Sequence, residues 1–339
     1  MKIAIISVVS LSGDTGGAER LYAGLTTALS NAGVDIDLLQ ITSDESNFEA
    51  IKETYLKFYD LDVTKYDGVI STKAPSYLVR HRNHVCYLIH TMRVFYDMFE
   101  SEFPDPDRVL LDQQQFIIRL DNAALSSSRI KKIYSIGYEV ANRLKKYNFL
   151  ESEVLHPALL FESFKSGEPG DYLFMPGRLH RWKRVDLVIN AMQYVKNPVK
   201  LLIAGAGEDE KYFKSIAKND SRIEFLGRVS DEELIDLYAN SLAVPFTPIH
   251  EDYGYVTLEA FKSCKPIITC EDSGEPAYFV KNGINGFVCN PNPNDIAEKI
   301  DYLFNNRNKV IEMGRNGKSS ISKITWPNIA QKLIETLGS

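Results

Sequence analysis

The sequence predicts two α/β domains in tandem, each a parallel sheet wrapped by helices. Short β-branched runs alternate with amphipathic helical patterns along the chain, the alternation expected of parallel strands joined by crossover helices. The scheme breaks in "LHPALLFESFKSGEPGDY", where Pro157, Gly167, Pro169 and Gly170 interrupt all periodicity, and then restarts. At 339 residues the chain is also longer than one ordinary core sustains.

In the first half, strands are expected at "KIAIISV", "DIDLLQIT", "GVIST", "VCYLIH" and "KIYSIG". Between the first two lies the helix "AERLYAGLTTALSNAG", with Leu21, Leu25, Ala28 and Leu29 on one face and Gly33 ending it. In the second half, strands are expected at "YLFMPG", "VKLLIAG", "RIEFLG", "LAVPFT", "PIITC" and "GFVCN". Helices are expected at 184–195, 208–218, 231–240, 256–263, 275–281 and 293–305. Ser230 and Glu233 form the capping box of "SDEELIDLY". The expected domains are 1–156 and 157–325, with a final helix over 326–339 that packs back on the first domain. A cleft between two such domains is a favoured place for a ligand.

Composition excludes several classes. A net charge of −6 argues against a dedicated nucleic-acid binder. Cys86, Cys264, Cys270 and Cys289 form no CxxC pair and read as buried reduced thiols of a cytosolic protein, not as a metal site. "MKIAIISVVS" is too short to span a bilayer and reads as a buried first strand. Asp60, Asp62, Asp105 and Asp107 read as surface charge. GxSxG, HExxH and GxxxxGK[ST] are all missing.

What remains points to a phosphate-bearing ligand. "GDTGGAER" lies between the first strand and first helix, where Gly16 and Gly17 let the backbone approach an anion. "MPGRLHRWKRVD" follows a strand and offers Arg178 and Lys183, a planar fork and a mobile point charge. The bland alternative is a solvated basic turn made of Arg178, Arg181, Lys183 and Arg184. "HEDYGYVTLEAF" places Glu251 and Glu259 on either side of a Tyr253-Gly254-Tyr255 hinge. A helical path would separate those carboxylates by about 12 Å, with the Val256 and Thr257 amides at the helix mouth between them. Acids at a helix start are also ordinary dipole complements that need no ligand. With a ligand, the arrangement suits a nucleotide-sugar: acids on hydroxyls at each end, amides and cations on the diphosphate. His90 ends a strand at the carboxyl edge of the first sheet.

These stretches resemble glycosyltransferase family four, the retaining nucleotide-sugar glycosyltransferases with the GT-B fold of two Rossmann-like domains facing across a cleft. The likeness runs through "GGAER", "SIGYEVANRLKKY", "GRLHRWKRVDLVINAM", "LLIAGAGED", "IEFLGRVSDEELIDLYANS", "PFTPIHEDYGYVTLEAFKSCKPIIT" and "NGINGFV". It implies that Glu251 contacts the transferred sugar and Glu259 the ribose. Arg178 and Lys183 would bind the diphosphate, Gly16 and Gly17 close near phosphate and acceptor, and His90 lie near the donor sugar. Val229 would line the base pocket, and Tyr253 to Thr257 complete the donor site. The chain departs from the family in "SGEPAYFV", with Glu275 in place of a glycine and Tyr278 in place of an acid. "HTMRVFYD" resembles a motif of polysaccharide mannosyltransferases without its proline and points to GDP-mannose.

The expected activity is metal-independent, cofactor-free transfer of a hexose from a nucleoside-diphosphate sugar, GDP-mannose or a UDP-sugar, to a glycan or lipid-linked acceptor hydroxyl. An inactive nucleotide-sugar-binding protein of the same fold is the alternative. A nicotinamide oxidoreductase is disfavoured because "LLIAGAGEDE" carries GxG without the third glycine. No nucleic-acid partner is expected. A basic face over Arg108 to Lys146, beside the apolar "MRVFYDMF", would suit peripheral contact with the inner face of a membrane, against the alternative of a solvated helix face.

Overall fold

This computed structural model describes residues 1–10, 17–126, 128–161 and 163–338. The chain divides into two compact units, Met1–Leu160 with Ile324–Ser339, and Phe161–Lys323.

The N-terminal unit is built on β1 (Lys2–Ser10), β2 (Asp35–Ser43), β3 (Gly68–Ser71), β4 (His84–Leu88), β5 (Lys132–Ser135) and β6 (Glu153–Val154). They form one parallel sheet in the order β2-β1-β3-β4-β5-β6. Ile5 of β1 pairs with Leu38 and with Ile70, and Ile3 to Ile6 are fully buried. Burial on both faces is why these strands read as continuous apolar runs. The order reverses between β1 and β3, so the loops after those strands border the switch point of the sheet.

Its helices are α1 (Gly17–Asn31), α2 (Phe48–Tyr59), α3 (Phe99–Glu102), α4 (Arg108–Ala124) and α5 (Tyr138–Asn148). Asn47 and Asp107 cap α2 and α4, each accepting an amide of the first turn. The buried face of α4 carries the carboxylate of Asp121, which accepts the phenols of Tyr55 at 3.0 Å and Tyr96 at 2.7 Å. The C-terminal helix (Trp326–Gly338) packs on α1, with Trp326 against Gly24 and its indole N–H donating to Leu159 O at 3.0 Å.

The C-terminal unit repeats the plan. Its strands are β7 (Tyr172–Pro176), β8 (Lys200–Ala204), β9 (Ile223–Gly227), β10 (Val244–Pro245), β11 (Ile267–Cys270) and β12 (Gly286–Cys289). They pair as β7-β8-β9 and β10-β11-β12, and the bridge Leu173–Ala243 joins the two triplets. Across the unit the order is therefore β9-β8-β7-β10-β11-β12, the doubly wound Rossmann order with its switch point between β7 and β10. The helices are α6 (Val185–Met192), α7 (Glu210–Ala217), α8 (Asp231–Asn240), α9 (Tyr255–Lys262), α10 (Glu275–Phe279), α11 (Pro293–Asn305) and α12 (Arg307–Ser320). Leu173, Met175, Leu201 and Ile203 of the strands meet Val188, Ile189, Met192 and Ile300 of α6 and α11 in the core. Each such side chain contributes about 1.5–3 kcal/mol when fully buried.

Three expectations are corrected. The strand expected over 242–247 is only Val244–Pro245, because Pro245 has no amide to donate and the chain turns away at the next proline, Pro248. Cys264 is not buried with the other thiols but half-exposed in a turn at φ 54°. The stretch "MRVFYDMF" offers little to a lipid surface: Met92, Phe95, Tyr96, Met98 and Phe99 are buried. Arg143, from the proposed basic face, is buried too, against Asp97 at 2.8 Å. Among the described residues no helix is long and apolar enough to cross a membrane.

Candidate functional site

Two of the predicted donor residues, Lys183 and Glu251, meet at the switch point of the C-terminal sheet, on the loops that follow β7 and β10. After β7 the chain runs through Arg178 to the short turn Arg181–Lys183. That loop is pinned from below: Leu179 N–H donates to Ala206 O at 3.0 Å and Arg181 N–H to Asp209 Oδ2 at 2.6 Å. It is tied to the loop after β10 by Ile249 N–H, which donates to Trp182 O at 2.8 Å.

Lys183 and Glu251 are in direct contact. Lys183 Nζ donates to Glu251 Oε2 at 2.5 Å, with the two side chains 27% and 19% exposed. The ammonium also lies over the Phe246 ring, 5.8 Å from its centre. The Glu251 backbone is held on both sides, its N–H donating to Ser273 O at 3.0 Å and its carbonyl accepting Glu275 N–H at 2.8 Å. Gly274 makes that approach possible, since a Cβ there would strike the Glu251 backbone and its φ is 73°. The departure at Glu275 thus falls beside the site, with its side chain fully buried, while Tyr278 is half-exposed.

Glu259 is set deeper. On α9 and only 4% exposed, it accepts the phenol of Tyr238 at 2.7 Å. Tyr238 is itself fully buried, edge-on to Phe174 and Phe164. Gly254 precedes α9 in the left-handed region, φ 75°. Tyr253 is a packing residue between the rings of Tyr255 and Phe279. Val256 is half-buried. The Thr257 amide corrects an expectation: it donates to Gly254 O at 2.9 Å within the first turn and is not offered to an anion. Val229 is half-buried beyond the end of β9.

Arg178 stands on the same loop as Lys183 but faces Glu208, with Nε 3.3 Å from its carboxylate, and is 58% exposed. Glu208 has its pKa lowered, first by its own backbone amide and then, against some desolvation, by Arg178. Burial pulls the His180 pKa down, and its Nδ1 accepts Trp182 N–H at 3.1 Å.

The other residues singled out in the sequence belong to the N-terminal unit. Gly17 is the exposed first residue of α1, and Gly16 lies outside the described residues. His90 follows β4, half-buried, its Nδ1 2.7 Å from Thr91 O. Among the described residues no group of three or more His, Cys, Asp or Glu could hold a metal ion.

Sequence reasoning missed Tyr238, Arg184 and Asp272. Tyr238 carries no polar signal, being one more aromatic on the core face of α8. Arg184 lies inside a run of cations and Asp272 in a loop of mixed charge.

Strand order of this kind defines a Rossmann-like unit, and comparison places it in a class. Residues 159–320 match the family of glycosyl transferases group 1. The chain is 28% identical over 307 residues to an uncharacterised glycosyltransferase of Methanocaldococcus jannaschii, covering 81% of this chain and 86% of that one. It is 24% identical to the alpha-1,3/1,6-mannosyltransferase ALG2 of Mus musculus, covering 81% of this chain and 72% of that protein. Among solved structures, HepE of Anabaena in complex with UDP and glucose superposes with a TM-score of 0.72 at 16% identity, over 100% of this chain and 99% of that one. The fold is GT-B. The C-terminal unit carries a group 1 glycosyltransferase domain, and the chain as a whole is similar to the glycosyltransferases of family four, including mannosyltransferases.

Proposed function

We propose that the protein is a retaining hexosyltransferase that uses a nucleoside-diphosphate sugar without a metal ion. The observation that carries this reading is the meeting of Lys183 and Glu251 at the switch point, with Glu259 buried on the adjoining helix. A cation beside an acid there matches what a sugar diphosphate requires: positive charge on phosphate oxygens and an acceptor for sugar hydroxyls. Glu259, oriented by Tyr238, would take the ribose hydroxyls.

In the reaction the bond from the anomeric carbon to the β-phosphate oxygen breaks, and the acceptor hydroxyl oxygen bonds to that carbon on the same face. The acceptor's proton passes to the departing phosphate. Lys183 and Arg178 stabilise the charge that grows there, an effect worth several kcal/mol in a preorganised site. Glu251 holds the sugar, and no carboxylate is assigned as nucleophile. The similarity to mannosyltransferases favours GDP-mannose as donor, with a UDP-sugar the second choice and a glycan or lipid-linked hydroxyl as acceptor.

A panel of GDP-, UDP- and ADP-sugars tests this by thermal shift and by nucleotide release. One donor should stabilise the wild type and be consumed, and Lys183→Ala should abolish consumption. Stabilisation without turnover on any acceptor would favour an inactive binding protein. Binding of no donor would refute the assignment.

A further inference from the structure

Arg184, the residue after Lys183, adopts φ 48° and ψ 46°. That left-handed conformation costs any residue with a Cβ and persists where the surroundings over-determine it. Here the guanidinium does so. Nε donates to Thr247 O at 2.7 Å and Nη2 to Pro248 O at 2.8 Å. Nη1 and Nη2 together grip the Asp272 carboxylate at 2.7 and 2.6 Å, the bidentate fork only arginine provides. Asp272 is engaged a second time, its carbonyl accepting His250 N–H at 2.9 Å. One side chain therefore binds together the loops that follow β7, β10 and β11.

The position explains the need. β7 and β10 meet through the bridge at Leu173 and Ala243, well before their carboxyl ends. Beyond it the chains leaving the two strands turn to opposite sides of the sheet, as at switch points generally. A backbone bond, Ile249 N–H to Trp182 O at 2.8 Å, ties the two loops at one point, and the Arg184 fork adds side-chain bonds from one loop to the other. Lys183 stands directly before this crossbar, and Glu251 follows the carbonyls it holds.

We propose that Arg184, locked by Asp272, is the positioning residue that sets Lys183 and Glu251 at their working separation on the donor. The proposal rests on reading those two as donor-binding groups. It predicts an effect on turnover more than on binding, because Glu259 and the nucleotide end of the site lie elsewhere on α9.

Arg184→Gly and Asp272→Asn test it in the full chain. Glycine accepts the left-handed backbone, so Arg184→Gly removes the fork without adding strain. Each single variant should lower kcat about 10- to 100-fold, the cost of a small misplacement, with the donor KM within about threefold of wild type. The double variant should be no worse than the poorer single one, since both changes break one unit. Hydrogen–deuterium exchange should be faster over His250 to Gly254 in both. Wild-type kcat in either variant, with an active wild type, overturns the proposal and leaves the transferase reading standing. A wild type that binds no sugar nucleotide overturns both, and unchanged exchange over His250 to Gly254 refutes the crossbar whether or not the protein turns over.

Discussion

Lys183 Nζ and Glu251 Oε2 stand 2.5 Å apart, a cation and an acid delivered by loops after different strands of one sheet. On the proposed function, a donor phosphate oxygen would compete with this carboxylate for the Lys183 ammonium. Donor binding then exchanges one anion for another on the same ammonium. Glu251→Gln removes the competitor, so the nucleoside diphosphate should bind more tightly, by about 1 kcal/mol for a pair this accessible. Transfer should fall at the same time because the amide offers the sugar hydroxyls one neutral acceptor in place of a charged carboxylate. Calorimetric titration with GDP or UDP reads the first effect, and equal or weaker binding would contradict the exchange.

Arg178 offers the complementary case. Its contact with Glu208 is exposed and worth about 0–1 kcal/mol to the fold. Arg178→Ala should leave the melting temperature within about 2 °C while reducing transfer at least tenfold. Full activity would remove Arg178 from the site.

Tyr238→Phe isolates the support of Glu259. The ring contacts with Phe174 and Phe164 are kept, and only the hydrogen bond to a buried carboxylate is lost. We expect about 1–3 kcal/mol of lost stability together with weaker nucleotide binding. A variant as stable and as avid as wild type would show that the phenol does not orient Glu259.

The regular parts of both units were legible because local signals agree with the fold. Ser230 and Glu233 form the capping box that their spacing announces, and α8 spans the expected Asp231–Asn240. Gly33 closes α1 at φ 82°. α12 was not legible: Gly314 and Gly317 break its pattern, yet they are what lets it lie against the Cys264 carbonyl and the Phe261 ring. α4 looks in the sequence like a charged segment, since its buried residues are only Ile117, Asp121 and Ala124, with a carboxylate in the middle. The two-residue strand β6 carries no periodicity at all.

The candidate site divides in the same way. Lys183 and Glu251 could be proposed because each follows a strand at the carboxyl edge of the sheet, and the structure brings them into contact. The Thr257 amide misled because helix mouths usually leave early amides open, whereas here Gly254 turns its carbonyl back onto it. Arg184 was hidden because its partners are backbone carbonyls and an acid far along the chain.

Asp121 predicts a pH dependence confined to the N-terminal unit. Burial raises its carboxyl from 3.8 to about 6, although tyrosine hydrogen bonds pull the other way. Between those values the folded protein holds a proton that the unfolded chain has released. Its contribution to stability therefore falls as pH rises from about 4 to about 6 and stays reduced above. The gap amounts to about 3 kcal/mol at most. Denaturant unfolding of wild type and Asp121→Asn across this range should show the difference between them changing with pH. A constant difference would place the Asp121 carboxyl at its ordinary value.

The most direct measurement is a crystal structure with the donor that the panel selects. The donor-site assignment requires diphosphate oxygens within hydrogen-bonding distance of Lys183 Nζ and the Arg178 guanidinium, with the ribose on Glu259. A nucleotide bound with its phosphates away from Lys183, or seated off the β7–β10 switch point altogether, would contradict it.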